Sequence, residues 1–188
     1  MHNYESVHGR LPPAVVYGED GKPLYSWRVL LLPYIEQDGL YKEFHLDEPW
    51  DSPHNIELVP RMPATYAPPS GKRWKVPAGH TVLHVFVGKG AAFEDRVELH
   101  LSDFTDGTSN TFLVVEAGEP VPWSAPQDLT YDPNGPLPDL PCLFSKGFRA
   151  GLGDGSMRWV SKDASEATLR AFITRNGNDK PGPDWEGY

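Results

Sequence analysis

Apolar residues recur at helical spacing in the first part of the chain. After Ser26, a favourable helix N-cap, residues 27, 30, 31, 34 and 35 are apolar and would share one helix face, although Pro33 should kink or end the helix. Shorter helical turns are predicted over 39–44 and from the Ser52-Pro53 pair to about Val59. Residues 2–9 have the composition of the last turns of a helix, which Gly9 would end before Pro12-Pro13.

A second amphipathic pattern predicts a helix near the C-terminus. Asp163, followed three residues later by Glu166, forms a capping-box sequence. Leu169, Phe172 and Ile173 would form the buried face, and Asn176-Gly177 would end the helix. We expect residues 178–188 to form a loose C-terminal tail.

The middle of the chain has the patterns of β-strands. "HTVLHVFV" (80–87) is apolar on both faces, as in a central strand, and "TFLVVE" (111–116) is a second buried strand. "RVELHL" (96–101) alternates apolar and polar residues, which predicts a strand with one solvent-facing side. Turn residues at Asp20-Gly21 and Asp154-Gly155 predict two tight turns. The second turn would form a hairpin whose later strand directs Trp159 toward the core.

Composition indicates a folded, loop-rich protein of 188 residues, for which one domain over 1–188 is sufficient. Gly and Pro account for 18 and 20 residues, and residues 123–142 form a long Pro-rich connection. The net charge of -9 argues against a nucleic-acid partner, because protein surfaces that bind nucleic acid are normally basic. Cys142 is the only cysteine, so the chain contains neither an internal disulfide nor a CxxC zinc motif.

A polar cluster precedes the strand at 111–116, in "LSDFTDGTSN". Asp103, Asp106, Ser109 and Asn110 carry the oxygen ligands that calcium prefers, so the loop is the best candidate for a metal. The EF-hand template does not fit around Gly107, however. The interpretation that we favour is a turn whose polar side chains satisfy backbone groups, and a calcium site is the alternative.

Other motifs give weaker signals. His80 and His84 would lie about 13 Å apart on a strand, too far to chelate one metal. "GLGDGS" (151–156) lacks the following helix of a phosphate-binding loop, and no nucleophile motif is present, so no catalytic residue or cofactor is assigned. Four tryptophans fall in predicted loops, where they would pack under the loops or form a sugar-stacking face: Trp50, Trp74, Trp123 and Trp185.

Several stretches together resemble the planctomycete family known as domain of unknown function 1559. They include "HNYESVHGRLPPA", "PLYSWRVLLLPYIEQDGLY", "EPWDSPHN", "DGTSNTFLVVE", "WSAPQDL" and "DGSMRWVSKDASEATLRAFITRNG", and they cover His2 to about Asn178. The turn at Asp154 and Gly155 belongs to a family motif. Many members have a histidine ten positions before this aspartate, where this chain has Phe144, and often a cysteine where it has Ala67.

The resemblance implies an α+β fold, with an antiparallel sheet, a few short helices and long Pro/Gly-rich loops, similar to a pilin or pseudopilin head. Family members typically begin with a prepilin-type signal and one long hydrophobic helix. Residues 1–9 would then be the remnant of that helix. The resemblance implies a non-catalytic, extracytoplasmic head that is membrane-anchored through an absent helix. It would bind protein partners or self-assemble through that helix, and the fragment itself would be monomeric. An extracellular carbohydrate-binding module or polymer hydrolase is the alternative.

Overall fold

A computed structural model of the protein describes residues 1–68, 75–142 and 144–186. Its helices are α1 (His2–His8), α2 (Trp27–Leu30), α3 (Asp38–Glu43) and α4 (Glu166–Ile173). Its strands are β1 (Val15–Tyr17), β2 (Pro23–Ser26), β3 (His80–His84), β4 (Phe86–Val87), β5 (Phe112–Pro122), β6 (Leu129–Thr130), β7 (Gly147–Leu152) and β8 (Met157–Ser161). Short 3-10 turns lie over Leu32–Ile35, Asn55–Arg61, Ala64–Tyr66, Leu101–Asp103, Thr108–Asn110 and Pro183–Trp185.

The main sheet has four antiparallel strands in the order β3-β5-β7-β8. The β1–β2 hairpin forms a separate antiparallel pair, and β4 pairs with β6 in a short parallel pair. The predicted α+β class, with an antiparallel sheet and a few short helices, is confirmed.

Elements cover both faces of the main sheet. Phe112 and Leu113 are adjacent on β5, and their side chains belong to different core clusters. Phe112 stacks on Phe172 of α4, with 4.6 Å between ring centroids, and belongs to the core beneath that helix. Leu113 belongs to a second core cluster, which Tyr4 of α1 enters. Helix α4 therefore packs on one face of the sheet and α1 on the other.

A third core cluster lies beside β3, away from the α4 core. Trp123 is completely buried there with Tyr66 and Phe44, and Leu83 of β3 packs against the cluster. The β1–β2 hairpin contributes Leu24 to it. This cluster fixes the N-terminal helical region to the β3 edge of the sheet.

Several local predictions are confirmed by backbone geometry. Gly9 ends α1 with a φ of 71°, in the left-handed region that glycine adopts readily. Ser26 caps α2 by accepting a hydrogen bond from the Arg28 N–H, and the helical pattern changes to a 3-10 turn at Pro33. Gly21 and Gly155 have φ values of 77° and 83°, within the two predicted turns.

The predicted strand over 96–101 is wrong. Arg96 has a φ of 57°, outside the β region, and Val97 is 44% exposed. A backbone hydrogen bond from the Leu11 N–H to the Leu99 carbonyl resembles a bond between paired strands, but it does not extend into a ladder. Apolar and polar residues alternate here as in a strand, but no strand among the described residues lies alongside to complete a ladder.

The ends of the last helix also differ from the prediction. Ser165, and not Asp163, is the N-cap of α4, and its hydroxyl accepts a hydrogen bond from the Thr168 N–H. The helix ends at Ile173, before the predicted terminator at Asn176-Gly177. On β8, Trp159 is only half-buried, whereas its neighbour Val160 is the residue that enters the core.

Residues 178–186, the described part of the segment expected to be a loose tail, contact α4, and residues 187–188 lie outside the described residues. The Asp184 carboxylate accepts hydrogen bonds from the Ser165 N–H, at 2.8 Å, and from the Thr168 hydroxyl. Trp185 packs edge-on against Phe172, with ring centroids 5.5 Å apart. Nothing in the pattern of residues 178–186 reveals these contacts, because their partners belong to another element.

Candidate functional site

The polar cluster singled out in the sequence forms the entry to β5. Two 3-10 turns, Leu101–Asp103 and Thr108–Asn110, flank Gly107, whose φ of 102° explains the need for glycine. The chain then enters β5 at Phe112. This local structure agrees with the interpretation of the cluster as a turn.

The carboxylates of this loop bind backbone N–H groups. Asp103 accepts a hydrogen bond from the His100 N–H at 2.8 Å. Asp106 accepts from the N–H groups of Gly177 and Asn178, at 2.5 and 2.9 Å, and so joins the loop to the segment after α4. The Asn110 side chain donates to the Asp106 carbonyl at 2.8 Å. Ser109 is exposed.

The four calcium candidates therefore lie in one loop, but both carboxylates are already engaged. A cation would have to compete with these backbone N–H groups, which are strong partners of an ionised carboxylate. Within residues 1–68, 75–142 and 144–186, no group of three or more His, Cys, Asp or Glu side chains is arranged to hold a metal ion. His80 and His84 lie on strand β3, as predicted.

The family-motif turn at Asp154 and Gly155 lies directly beside this loop. The Asp154 N–H donates to the Thr108 carbonyl at 3.0 Å, and the Gly153 N–H donates to the Thr111 carbonyl at 2.9 Å. A side chain at Gly153 would meet the Thr108 backbone, since its Cβ would lie 2.9 Å from that carbonyl oxygen. The two Asp-Gly stretches are thus packed against each other.

Helix α1 meets the same turn. His2 Nε2 lies 2.8 Å from the Gly153 carbonyl oxygen, to which it donates a hydrogen bond. The Asp154 carboxylate accepts a hydrogen bond from the Ser156 N–H at 2.8 Å, and hydrogen bonding to Ser156 lowers the pKa of Asp154. Helix α1, the loop before β5 and the β7–β8 turn therefore form one junction at the end of the sheet.

A buried charge network lies elsewhere, between α2 and β3, and sequence reasoning missed it. The Arg28 and Asp128 side chains are 0% and 3% exposed and form an ion pair at 2.9 Å. Arg28 also donates to the Leu83 carbonyl and the Ser26 hydroxyl. Burial lowers the pKa of Arg28, and the Asp128 charge opposes this effect.

Asp128 accepts two further hydrogen bonds in this network, from Trp27 Nε1 at 3.2 Å and from the Val85 N–H at 2.9 Å. His84 Nδ1 lies 3.7 Å from the same carboxylate, and its Nε2 donates to the Glu119 carbonyl at 2.9 Å. The partners come from four distant parts of the sequence. The only local signal was an arginine within the apolar stretch after Ser26.

An open cleft of about 710 Å³ lies between the β1–β2 hairpin and the segment after α3. Leu24, Leu46 and Pro49 supply apolar walls, and Asp20 and Asp47 contribute carboxylates at its margin. Asp20 is paired with Lys22, at 2.8 Å.

The loop tryptophans do not form a common exposed face in the part of the chain that the structure describes. Trp123 is fully buried, Trp185 packs on Phe172, and Trp50 packs against the third core cluster. Trp74 lies outside the described residues. Cys142 is half-buried, and burial raises the pKa of its thiol, which disfavours the reactive thiolate.

A sequence model of a protein family, described as "Protein of unknown function (DUF1559)", matches residues 1–180. Searches of curated proteins and of solved structures gave no match. The matched range contains all the stretches that carried the resemblance, including both Asp-Gly turns. None of the helices among the described residues has the length and hydropathy needed to cross a bilayer.

Proposed function

The chain belongs to the DUF1559 family, and from this premise we propose that it is the non-catalytic head of a pilin- or pseudopilin-like protein. In this proposal a helix holds the head at a membrane, and the head works outside the cytoplasm in assembly or in binding another protein. The observation that carries the proposal is the placement of α1 on an antiparallel sheet.

The direction of α1 fits such a head. Tyr4 enters the core beside Leu113, and Glu5 accepts a hydrogen bond from the Leu101 N–H at 2.8 Å. The N-terminal end of the helix lies at the β7–β8 turn through His2 and Gly153. A helical continuation upstream would leave the domain past that turn, at the end of the sheet.

The junction described above would transmit force from such a helix to the sheet. His2 joins α1 to the β7–β8 turn, whose backbone is bonded to the loop before β5. Asp106 extends the connection to the segment after α4. In this proposal the two Asp-Gly motifs have a structural task, and no residue is assigned to catalysis.

The test is fractionation of cells of the native organism, with an antibody raised against this domain. We expect the full-length protein in the membrane fraction, whereas the purified 188-residue chain should elute as a monomer in size-exclusion chromatography. Full-length protein found only in the soluble cytosolic fraction would overturn the anchored-head proposal. Full-length protein secreted without an anchor would favour the alternative, a carbohydrate-binding module or polymer hydrolase.

A further inference from the structure

The main sheet has one covered edge and one open edge. At the covered edge, Leu83 of β3 packs against the third core cluster. At the other edge lies β8, which among the described residues pairs with β7 alone. The 3-10 turn Pro183–Trp185 lies near β8, but Trp185 packs on Phe172 of α4, and within the described residues no hydrogen bond joins this turn to the strand. The sheet can therefore be extended at β8.

The hydrogen bonds between β7 and β8 show which backbone groups of β8 point outward. The Lys162 N–H donates to the Lys146 carbonyl at 3.0 Å. At the turn end of the strand pair, the Ser156 carbonyl accepts from the Leu152 N–H at 2.8 Å. The register between these two bonds is continuous, so the even-numbered residues of β8 bond to β7 and the backbone groups of the residues between them point away from it. The outward-pointing residues are Met157, Trp159 and Ser161.

Some of these outward groups have partners, and those of Trp159 do not. The Arg158 side chain donates to the Met157 carbonyl at 3.1 Å, and the Ala164 N–H donates to the Ser161 carbonyl at 3.2 Å. The N–H and the carbonyl of Trp159 have no hydrogen-bond partner among the described residues. Both groups lie in the middle of β8, side by side along its free edge. An extended polypeptide backbone presents a donor and an acceptor with the same spacing, so the edge is complementary to another strand.

Strand β8 is also regular enough to accept a neighbour. Natural edge strands commonly avoid pairing by means of a proline or a bulge. β8 contains no proline, and its five residue pairs with β7 follow one another without a register shift. The pairs β3–β5 and β5–β7 each contain such a shift. The outer strand therefore presents a straight run of backbone groups.

One face of β8 offers apolar contacts to an added strand. Met157 and Trp159 share this face, because side chains two residues apart on a strand point the same way. Met157 is 59% exposed, and the residue opposite it on β7 is Gly151, which has no side chain to pack against it. Trp159 is half-buried and meets the Phe144 ring edge-on, with centroids 5.2 Å apart. Side chains of an added strand would become the missing cross-strand neighbours of Met157 and Trp159.

The other face of β8 determines the charge of a suitable partner. Arg158 and Lys162 lie on this face with the buried Val160, and both are exposed. Neither forms an ion pair within the described parts of the chain. Like charges on adjacent strands destabilise the pairing and opposite charges stabilise it. The face therefore disfavours a second copy of β8 and favours an acidic strand.

We propose that the open edge of β8 binds an extended acidic segment of another protein by β-strand addition. The backbone of that segment pairs with the outward groups of β8, above all with the N–H and carbonyl of Trp159. Acidic side chains four residues apart in the segment lie opposite Arg158 and Lys162. In this mode of recognition the main-chain hydrogen bonds supply affinity and the alternate side chains supply specificity.

The edge does not depend on how the domain is held at a membrane, so the failure of this proposal would leave the anchored-head proposal intact. The probe is a blocked heptapeptide with glutamate at its second and sixth positions, valine at its third and fifth, and threonine elsewhere. This sequence reads the same in both directions and so fits β8 in either orientation. The peptide is titrated at low salt into the nitrogen-15-labelled 188-residue chain, and backbone amide signals are followed by NMR. We expect saturable shifts and slower hydrogen exchange at the Trp159 amide, whereas the Val160 amide, which points to β7, should change little.

Two modified peptides test whether the backbone is recognised. A strand directs the backbone groups of alternate residues to opposite edges, so only one alternate set can pair with β8. One peptide is N-methylated at both valines and the other at both glutamates, which removes the N–H groups of one set in each case. One of the two should lose saturable binding, and the other should keep its Kd within about twofold of the parent.

Protein variants test the charges. Arg158→Gln/Lys162→Gln should raise the Kd of the parent peptide by about fivefold, because two opposite-charge cross-strand pairs are lost. Lys89→Gln/Lys180→Gln changes the net charge equally at exposed positions elsewhere and should leave the Kd within about twofold. A peptide with lysine in place of both glutamates should bind the wild-type chain more weakly than the parent. Melting temperatures identify any variant that fails to fold.

Three results would overturn the proposal. One is the absence of saturable binding of the parent peptide, which would mean that Arg158 and Lys162 serve only to deter strand pairing at this edge. Another is binding that leaves hydrogen exchange at Trp159 unchanged, or that both N-methylated peptides retain, because the contact would then not involve the backbone. A third is protection of the Trp159 amide that rises with protein concentration in the absence of peptide, which would assign the edge to a second copy of the chain.

Discussion

The ion pair between Arg28 and Asp128 gives the sharpest prediction about stability. Substituting Asp128→Asn keeps the side-chain shape and an acceptor for the Val85 N–H, but removes the charge opposite Arg28. Arg28 is fully buried, so its charge would lose its partner without gaining water. Removing one partner of a buried pair costs about 3–5 kcal/mol. In a chain of 188 residues this lowers the melting temperature by on the order of 10 °C.

The assay is urea unfolding followed by circular dichroism, together with thermal melting. Glu43→Gln is the matched control, because Glu43 pairs with Arg61 at 2.7 Å but the two side chains are about half exposed. We expect the control to change the free energy of unfolding far less than Asp128→Asn, because solvent screens an exposed ion pair. Combining Asp128→Asn with Arg28→Met should cost less than the sum of the single changes, because the unpaired charge is then absent. An Asp128→Asn variant as stable as the control would refute the assignment of a buried, energetically coupled pair.

Two further predictions concern loops. Millimolar calcium should leave the melting temperatures of the wild-type chain and of Asp106→Ala unchanged. The reason is that the Asp106 carboxylate already accepts hydrogen bonds from the Gly177 and Asn178 N–H groups. A calcium-dependent rise in the melting temperature that Asp106→Ala abolishes would establish the metal site instead. The hydrogen bond from Thr168 and, to a smaller extent, those from Ser165 lower the pKa of Asp184 to about 2. The ionised Asp184 carboxylate therefore stabilises the fold fully above its pKa in the unfolded chain, which is about 4, and this stabilisation is lost as the pH falls toward 2. The protection factors of amides in the first turn of α4, measured relative to the unfolded chain at the same pH, should therefore fall over that range. Asp184→Asn should already show the lower protection at pH 7, and equal protection in the two proteins at pH 7 would contradict this role.

Features encoded by neighbouring residues were predictable from the sequence. Ser26 caps α2 and Gly9 ends α1, since a cap depends on groups within one helical turn. The turn at Asp154 and Gly155 is likewise local, because the backbone needs a positive φ at a single residue. The resemblance to the DUF1559 family, and with it the α+β class, also rested on contiguous motifs.

Features that need a distant partner were not predictable. The alternation in residues 96–101 is the same as in a real strand, yet a strand forms only when another strand lies alongside. Arg28 and Asp128 are 100 residues apart, and neither residue's neighbours indicate the other. The choice of Ser165 over Asp163 as N-cap of α4 is coupled to Asp184, which binds the Ser165 N–H from 19 residues away.

The candidate site combines both kinds of information. Each Asp-Gly turn is evident in the sequence, but their packing against each other is a property of the fold, through the bonds from Gly153 and Asp154 to the loop before β5. The carboxylates of Asp106 and Asp154 both accept hydrogen bonds from backbone N–H groups. The acidic residues of these two turns therefore stabilise the backbone around the turns, and Asp106 also joins its loop to the segment after α4.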